Sequence, residues 1–150
     1  MTEDEVNLKV KEWLKSHSFR YKGVCKTKGK SINNNQAKHR GFGQVAVPDG
    51  IGNGRSVLLD HQGFSDQTKE LFWIEAKGSG VNFSELLEGF VRTVYAIYHG
   101  GGNGYLAVPH AEYQRLLEQR DFLRAVAESV NGKGQMGLLD VENENEVVFD

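Results

Sequence analysis

Residues 70–77 read ELFWIEAK, and this stretch decides the fold. In an extended chain, alternate side chains point to opposite faces. Phe72, Ile74 and Ala76 therefore share one face, and Leu71, Trp73, Glu75 and Lys77 share the other. Both faces are apolar until Glu75 and Lys77. A strand apolar on both sides belongs in the middle of a covered sheet, and this one turns polar abruptly at its end. Downstream, Asn82 or Ser84 can cap a helix over Phe83–His99 that Gly100 stops, with Phe83, Leu87, Phe90, Val91, Val94 and Tyr98 as its inward stripe. Tyr105–Val108 then reads as a strand closed by Pro109. Strand, helix, strand implies a parallel crossover.

Working outward, Val6, Val10, Trp13, Leu14 and His17 recur at helical spacing, and Thr2 with Glu5 fits a capping box, so residues 3–17 predict a helix. Phe19–Val24 reads as a first strand, and the Lys-, Asn- and Gly-rich segment after it as a long loop. Gln44–Val47 is a short apolar patch, and Ser56–Leu59 a strand ending at Asp60. One amphipathic helix is expected over Ala111–Val130, with Asn131-Gly132 as its stop. Leu138–Val141 and Val147–Phe149 read as a hairpin around the turn ENENE. The expected fold is a single α/β (α+β) domain over residues 1–150, with a mixed central β-sheet flanked by helices.

The chain has 150 residues, 39% of them hydrophobic and 25% charged, which excludes a disordered or a membrane-embedded chain. No apolar run approaches a membrane span, and acids stand at the N-terminus where a signal peptide carries bases. One cysteine, Cys25, excludes an intrachain disulfide and a Cys-rich zinc site. A soluble, intracellular, cytoplasmic protein with no membrane partner is expected. The net charge is only -2, yet no acid stands between Trp13 and Pro48, where Lys15, Arg20, Lys22, Lys26, Lys28, Lys30, Lys38 and Arg40 accumulate. Such a block is the electrostatic footprint of a polyanion partner or a solvated loop.

Two fragments carry chemistry: Pro48-Asp49 and Glu75-Ala76-Lys77. Glu75 and Lys77 project together from the strand, and an aspartate beside them makes two carboxylates next to an ammonium. Two carboxylates with water elsewhere hold Mg²⁺ against a phosphate, and the lysine stabilises charge on the phosphate under attack. An acid-x-Lys triplet alone arises about once by chance in a chain of this size and is commonly a surface ion pair. Its position at the end of the most apolar strand, downstream of Pro-Asp and ahead of an amphipathic helix, is what raises it.

With leading helix, strands, PD, ExK, helix and strand in that order, the chain resembles the PD-(D/E)xK nuclease superfamily, the restriction-endonuclease-like fold, over about residues 5–108. Between Asp49 and Glu75 lie 25 residues, within the family's tolerance. The resemblance implies an αβββαβ core, here followed by a C-terminal helix and hairpin. It implies Asp49 and Glu75 as metal ligands, Lys77 as the catalytic lysine, and Glu5 as the accessory acid of the first helix, with Glu12 on the same flank. Asp49 opens onto the turn GIGNG instead of an apolar strand, so Asp60, directly after Val57-Leu58-Leu59, stands as a rival ligand. In place of the Gln-x-x-x-Tyr pair of many relatives, the helix offers Glu88, Arg92 and Tyr95 on one flank, either facing phosphate or forming a surface row.

The function this implies is a Mg²⁺-dependent endonuclease acting on DNA, with Mn²⁺ able to substitute. It is similar to the archaeal-type Holliday junction resolvases or to small repair or phage nucleases, which are commonly homodimers. Lys22, Lys26, Lys28, Lys30, Lys38, Arg40 and Arg92 would grip the nucleic acid. The competing expectation is a non-catalytic nucleic-acid-binding protein on the same fold.

Overall fold

The computed structural model describes residues 1–17, 20–21, 45–48, 56–65 and 69–150. Helix α1 (Glu3–Ser16) opens with the expected capping box: Glu5 N–H donates to the Thr2 hydroxyl, and Thr2 N–H donates to the Glu5 carboxylate. Its apolar stripe of Val6, Val10, Trp13 and Leu14 is buried. The strands are β1 (Arg20–Tyr21), β2 (Val45–Pro48), β3 (Ser56–Leu59), β4 (His61–Phe64), β5 (Leu71–Ala76), β6 (Asn103–Val108), β7 (Met136–Asp140) and β8 (Asn145–Phe149). Helix α2 (Phe83–Gly100) joins β5 to β6, while α3 (His110–Leu117) and α4 (Arg120–Ala127) lie between β6 and β7.

Six strands form one sheet in the order β1-β4-β5-β6-β7-β8, and β2 and β3 form a separate antiparallel pair. β5 runs parallel to β6, and β6 to β7; the other neighbours in the large sheet are antiparallel. The mixed sheet flanked by helices is therefore present, with the two-faced strand β5 in its interior. Each face has its own core. Phe72, Ile74 and Ala76 pack with Tyr105, Ala107 and Leu139 against α1. Trp73, Leu106, Val108 and Leu138 pack on the other side against Leu86, Phe90, Val94 and Ile97 of α2 and against Leu116 and Leu123. Among the described residues, no helix is long and apolar enough to cross a membrane.

Three expectations need correction. The helix over Ala111–Val130 is broken into α3, α4 and a 3₁₀ turn at Glu128–Val130. A continuous helix would need apolar residues one turn beyond Leu116 and Leu117, but Arg120 and Asp121 stand there, exposed, and Gln119 leaves the helical region. Strand β4 was not expected, because HQGF shows neither β-branched residues nor alternation; pairing with β5 imposes it. The stripe of α2 is also rotated. Leu86, Phe90, Val94 and Ile97 are buried, whereas Val91 and Tyr98 are each 46% exposed. Apolar residues cover more of this helix than one sheet can bury, so only contact with the strands selects the inner face.

Candidate functional site

The chain changes sheets at Asp60, the bend between β3 and β4. His61 pairs with Ile74 across the β4–β5 ladder, so the register puts Asp60 opposite Glu75. Ala76 N–H donates to Asp60 Oδ2 at 2.9 Å, and Asp60 N–H donates to Glu75 Oε1 at 3.2 Å. Each residue is only 6% exposed. Two carboxyl groups thus face one another where little water reaches them.

The electrostatic consequence falls on Glu75. Burial pushes its pKa well above the ordinary glutamate value, and the Asp60 charge and a carboxyl–carboxyl hydrogen bond push the same way. Lys77 and Arg92 act in the opposite direction without cancelling the rise. The arrangement favours the protonated form of Glu75.

Helix α2 contributes a notch. Gly89 is buried on its inner face, where a Cβ would stand 3.5 Å from Glu75 Cγ, 3.2 Å from Lys77 Cε and 2.9 Å from Leu106 Cδ1. Glycine inside a helix costs about 0.5–1 kcal/mol relative to alanine, and here it lets the stems of Glu75 and Lys77 cross against the helix backbone. One turn further along, Arg92 pairs with Glu88 at 3.0 Å. Gly78 serves the same purpose on the other side. A Cβ there would lie 2.6 Å from Glu3 N, so the first turn of α1 closes directly onto the chain just after Lys77.

The strand next to Asp60 is tied to α1 through a buried pair, His61 Nε2 to Asn7 Oδ1 at 2.6 Å. Both residues are fully buried. Burial pushes the His61 imidazole down to about 4, with Lys11 assisting and the Asp60 charge opposing. Sequence reasoning missed Asn7, His61, Gly78 and Gly89. Only Gly89 left a trace, as a glycine inside a strong helical pattern.

The structure brings together Asp60, Glu75, Lys77 and Arg92. Glu5 lies in the first turn of α1 and bonds to Thr2 N–H and to the Thr2 hydroxyl. These bonds hold its carboxyl below the usual range. Glu12 is exposed and pairs with Lys9 at 3.9 Å. Asp49, Lys22, Cys25, Lys26, Lys28, Lys30, Lys38 and Arg40 lie outside the described residues. Pro48 pairs with Ser56, at the end of the β2–β3 hairpin remote from the Val45–Leu59 pair that adjoins Asp60. The two ends are separated by roughly 10 Å of strand.

Among the described residues, no group of three or more His, Cys, Asp or Glu side chains could hold a metal ion. Two facing carboxylates still suit a hard divalent cation, since Mg²⁺ takes one or two protein carboxylates and fills its other positions with water and phosphate oxygens. Comparison with family models, curated proteins and solved structures returned no match to this chain. The functional reading therefore rests on geometry.

Proposed function

We propose that the protein is a Mg²⁺-dependent endonuclease that hydrolyses phosphodiester bonds of DNA, with Asp60 and Glu75 as the cation ligands. The observation that carries this reading is the buried, facing carboxyl pair with Lys77 alongside, at the end of an interior strand. A divalent cation held there would polarise a phosphate oxygen and lower the pKa of water. The chain's own groups do the rest. Glu75 would hold the cation in its ionised form, Lys77 would offer an ammonium to the charge that grows on the phosphate, and Arg92 would add a second positive charge near Glu75. Lys22, Lys26, Lys28, Lys30, Lys38 and Arg40 would supply sequence-independent attraction for the phosphate backbone. Cutting both strands calls for two such sites, and a homodimer is part of the proposal.

Calorimetric titration with Mg²⁺ or Mn²⁺ tests it, read beside nicking of supercoiled plasmid. Asp60→Asn and Glu75→Gln should each remove the binding heat and the nicking, while Asp49→Asn should retain both. Loss in Asp49→Asn with retention in Asp60→Asn would transfer the ligand role to Asp49. Because the cation must displace a proton from Glu75, affinity should rise as pH is raised through that residue's elevated pKa. Salt-sensitive DNA binding without divalent-dependent nicking would replace the enzyme by a nucleic-acid-binding protein.

A further inference from the structure

Next to the acid pair, the outer flank of α2 and strand β3 enclose an open groove of about 400 Å³. Val57, Leu87, Val91 and Tyr95 wall it, and Glu88 and Arg92 stand at its rim. Leu87, Val91 and Tyr95 follow one another at helical steps of four, on the flank beside the buried stripe of Leu86, Phe90 and Val94. Tyr95 is steadied by His99, with ring centroids 4.4 Å apart, so it presents a fixed aromatic surface.

Two connections join this groove to the acid pair. Arg92 stands on the rim, and its charge acts on Glu75. Val57 lies on β3, the strand that delivers Asp60 three residues later. A nucleic acid whose phosphate sat against Asp60, Glu75 and Lys77 would bring its adjoining nucleotide beside the apolar groove. A base stacked and paired within a duplex has no free face to lay against such a groove. A base that has left the stack has one, and its flat face suits an aromatic wall and a guanidinium, while its polar edge can meet the Glu88 carboxylate.

We propose that this groove receives an unstacked nucleobase beside the scissile phosphate, and that the protein thereby selects nucleic acid containing unpaired nucleotides over continuous duplex. The proposal rests on the nuclease reading above and adds the substrate class. It also explains why Val91 of α2 remains exposed next to charged chemistry. Arg92 bridges the two functions, since a cation at the rim attracts the backbone that carries the base.

The test uses the full chain with Ca²⁺ in place of Mg²⁺ to hold off cleavage. The probes are two DNA duplexes bearing 2-aminopurine, in one paired with thymine and in the other extruded as a single-base bulge. The bulged probe should bind about tenfold more tightly, the scale of base–aromatic stacking, with its fluorescence quenched on binding. Val91→Glu, at an exposed position, should bring the two affinities together, as should Leu87→Ser; circular dichroism checks that each variant is folded. Equal affinities in the wild type, or a preference that survives both substitutions, overturns the proposal. Plasmid nicking that proceeds in Mg²⁺ without any preference for unpaired sites overturns the groove alone. Failure of wild type to bind or nick either duplex overturns the nuclease reading and the groove with it. A dimer in sedimentation velocity that Val91→Glu converts to monomer would make the groove an interface between copies, again overturning the proposal.

Discussion

Two buried acidic sites flank the parallel part of the sheet, and they are built differently. At the end of β7, Asp140 is fully buried and its oxygens meet three partners among the described residues. Oδ1 accepts from Glu142 N–H at 3.0 Å and Asn143 N–H at 3.2 Å, while Oδ2 lies 2.6 Å from His110 Nδ1. Glu142 in turn accepts from His110 N–H, which ties the β7–β8 turn to the start of α3. At the end of β5, Asp60 and Glu75 face each other, and each carboxylate has one backbone N–H among the hydrogen bonds described above. Burial next to hydrogen-bond donors makes Asp140 a support for a turn. Burial next to another carboxyl raises the pKa of Glu75 and favours its protonated form.

The comparison breaks most sharply at Lys77. Replacing it with alanine should lower divalent-dependent nicking by about 10²–10³-fold, the usual cost of one charge-stabilising donor. Asp140→Asn should leave nicking unchanged per folded molecule. Equal losses from the two would erase the distinction between the acidic sites.

A smaller effect, on stability, comes from the neighbour of Asp60. His61 has a folded pKa of about 4 against 6.5 when unfolded. A depressed folded value means that its stability contribution is complete above pH 6.5 and is lost as pH falls from 6.5 toward 4. The difference amounts to roughly 3 kcal/mol. Urea unfolding across that window should show the decline in wild type and a shallower one in His61→Gln, which keeps a polar partner for Asn7. Parallel slopes in the two proteins would remove His61 as the cause.

Next in size, Asp140→Ala should destabilise the fold by about 1–2 kcal/mol, because the part-buried hydrogen bonds from Glu142 N–H and Asn143 N–H are lost. Thermal unfolding with and without Mg²⁺ sharpens the contrast. Mg²⁺ should stabilise wild type and Asp140→Ala equally, and should not stabilise Glu75→Ala.

The smallest predicted stability change is at Gly89. Alanine there gains about 0.5–1 kcal/mol of helix propensity but puts a Cβ 2.9 Å from Leu106 Cδ1 and 3.2 Å from Lys77 Cε. The two effects oppose, so unfolding should shift little while nicking falls as Lys77 is displaced. A variant with wild-type nicking would show that the notch serves packing alone.

Much of this arrangement was legible in residues 70–77. The alternation of Phe72, Ile74 and Ala76 against Trp73, Glu75 and Lys77 predicted an interior strand with a polar end, and β5 is the third of six strands. The Thr2–Glu5 capping box was also readable, as was a cap at Asn82 or Ser84, of which the helix uses Asn82, because capping is settled within one helical turn. That Asp60 meets Glu75 was not. The contact depends on β4, whose sequence HQGF carries no strand signal, and on the register that sets His61 against Ile74. The inner face of α2 was misread for a related reason: Val91 and Phe90 are both apolar, and only the neighbouring sheet distinguishes them.

By itself, then, the sequence determined the mixed α/β class, the parallel crossover from β5 to β6 and the pairing of Glu75 with Lys77 on one side of a strand. These follow from periodicity and capping, which act over a few bonds. Tertiary structure alone decided that Asp60 meets Glu75, that Gly89 opens space for both stems, and that Val91 remains exposed between the half-buried Leu87 and Tyr95. Those contacts join residues remote along the chain, and their energies depend on what surrounds each group: a second carboxyl, a helix backbone or open solvent.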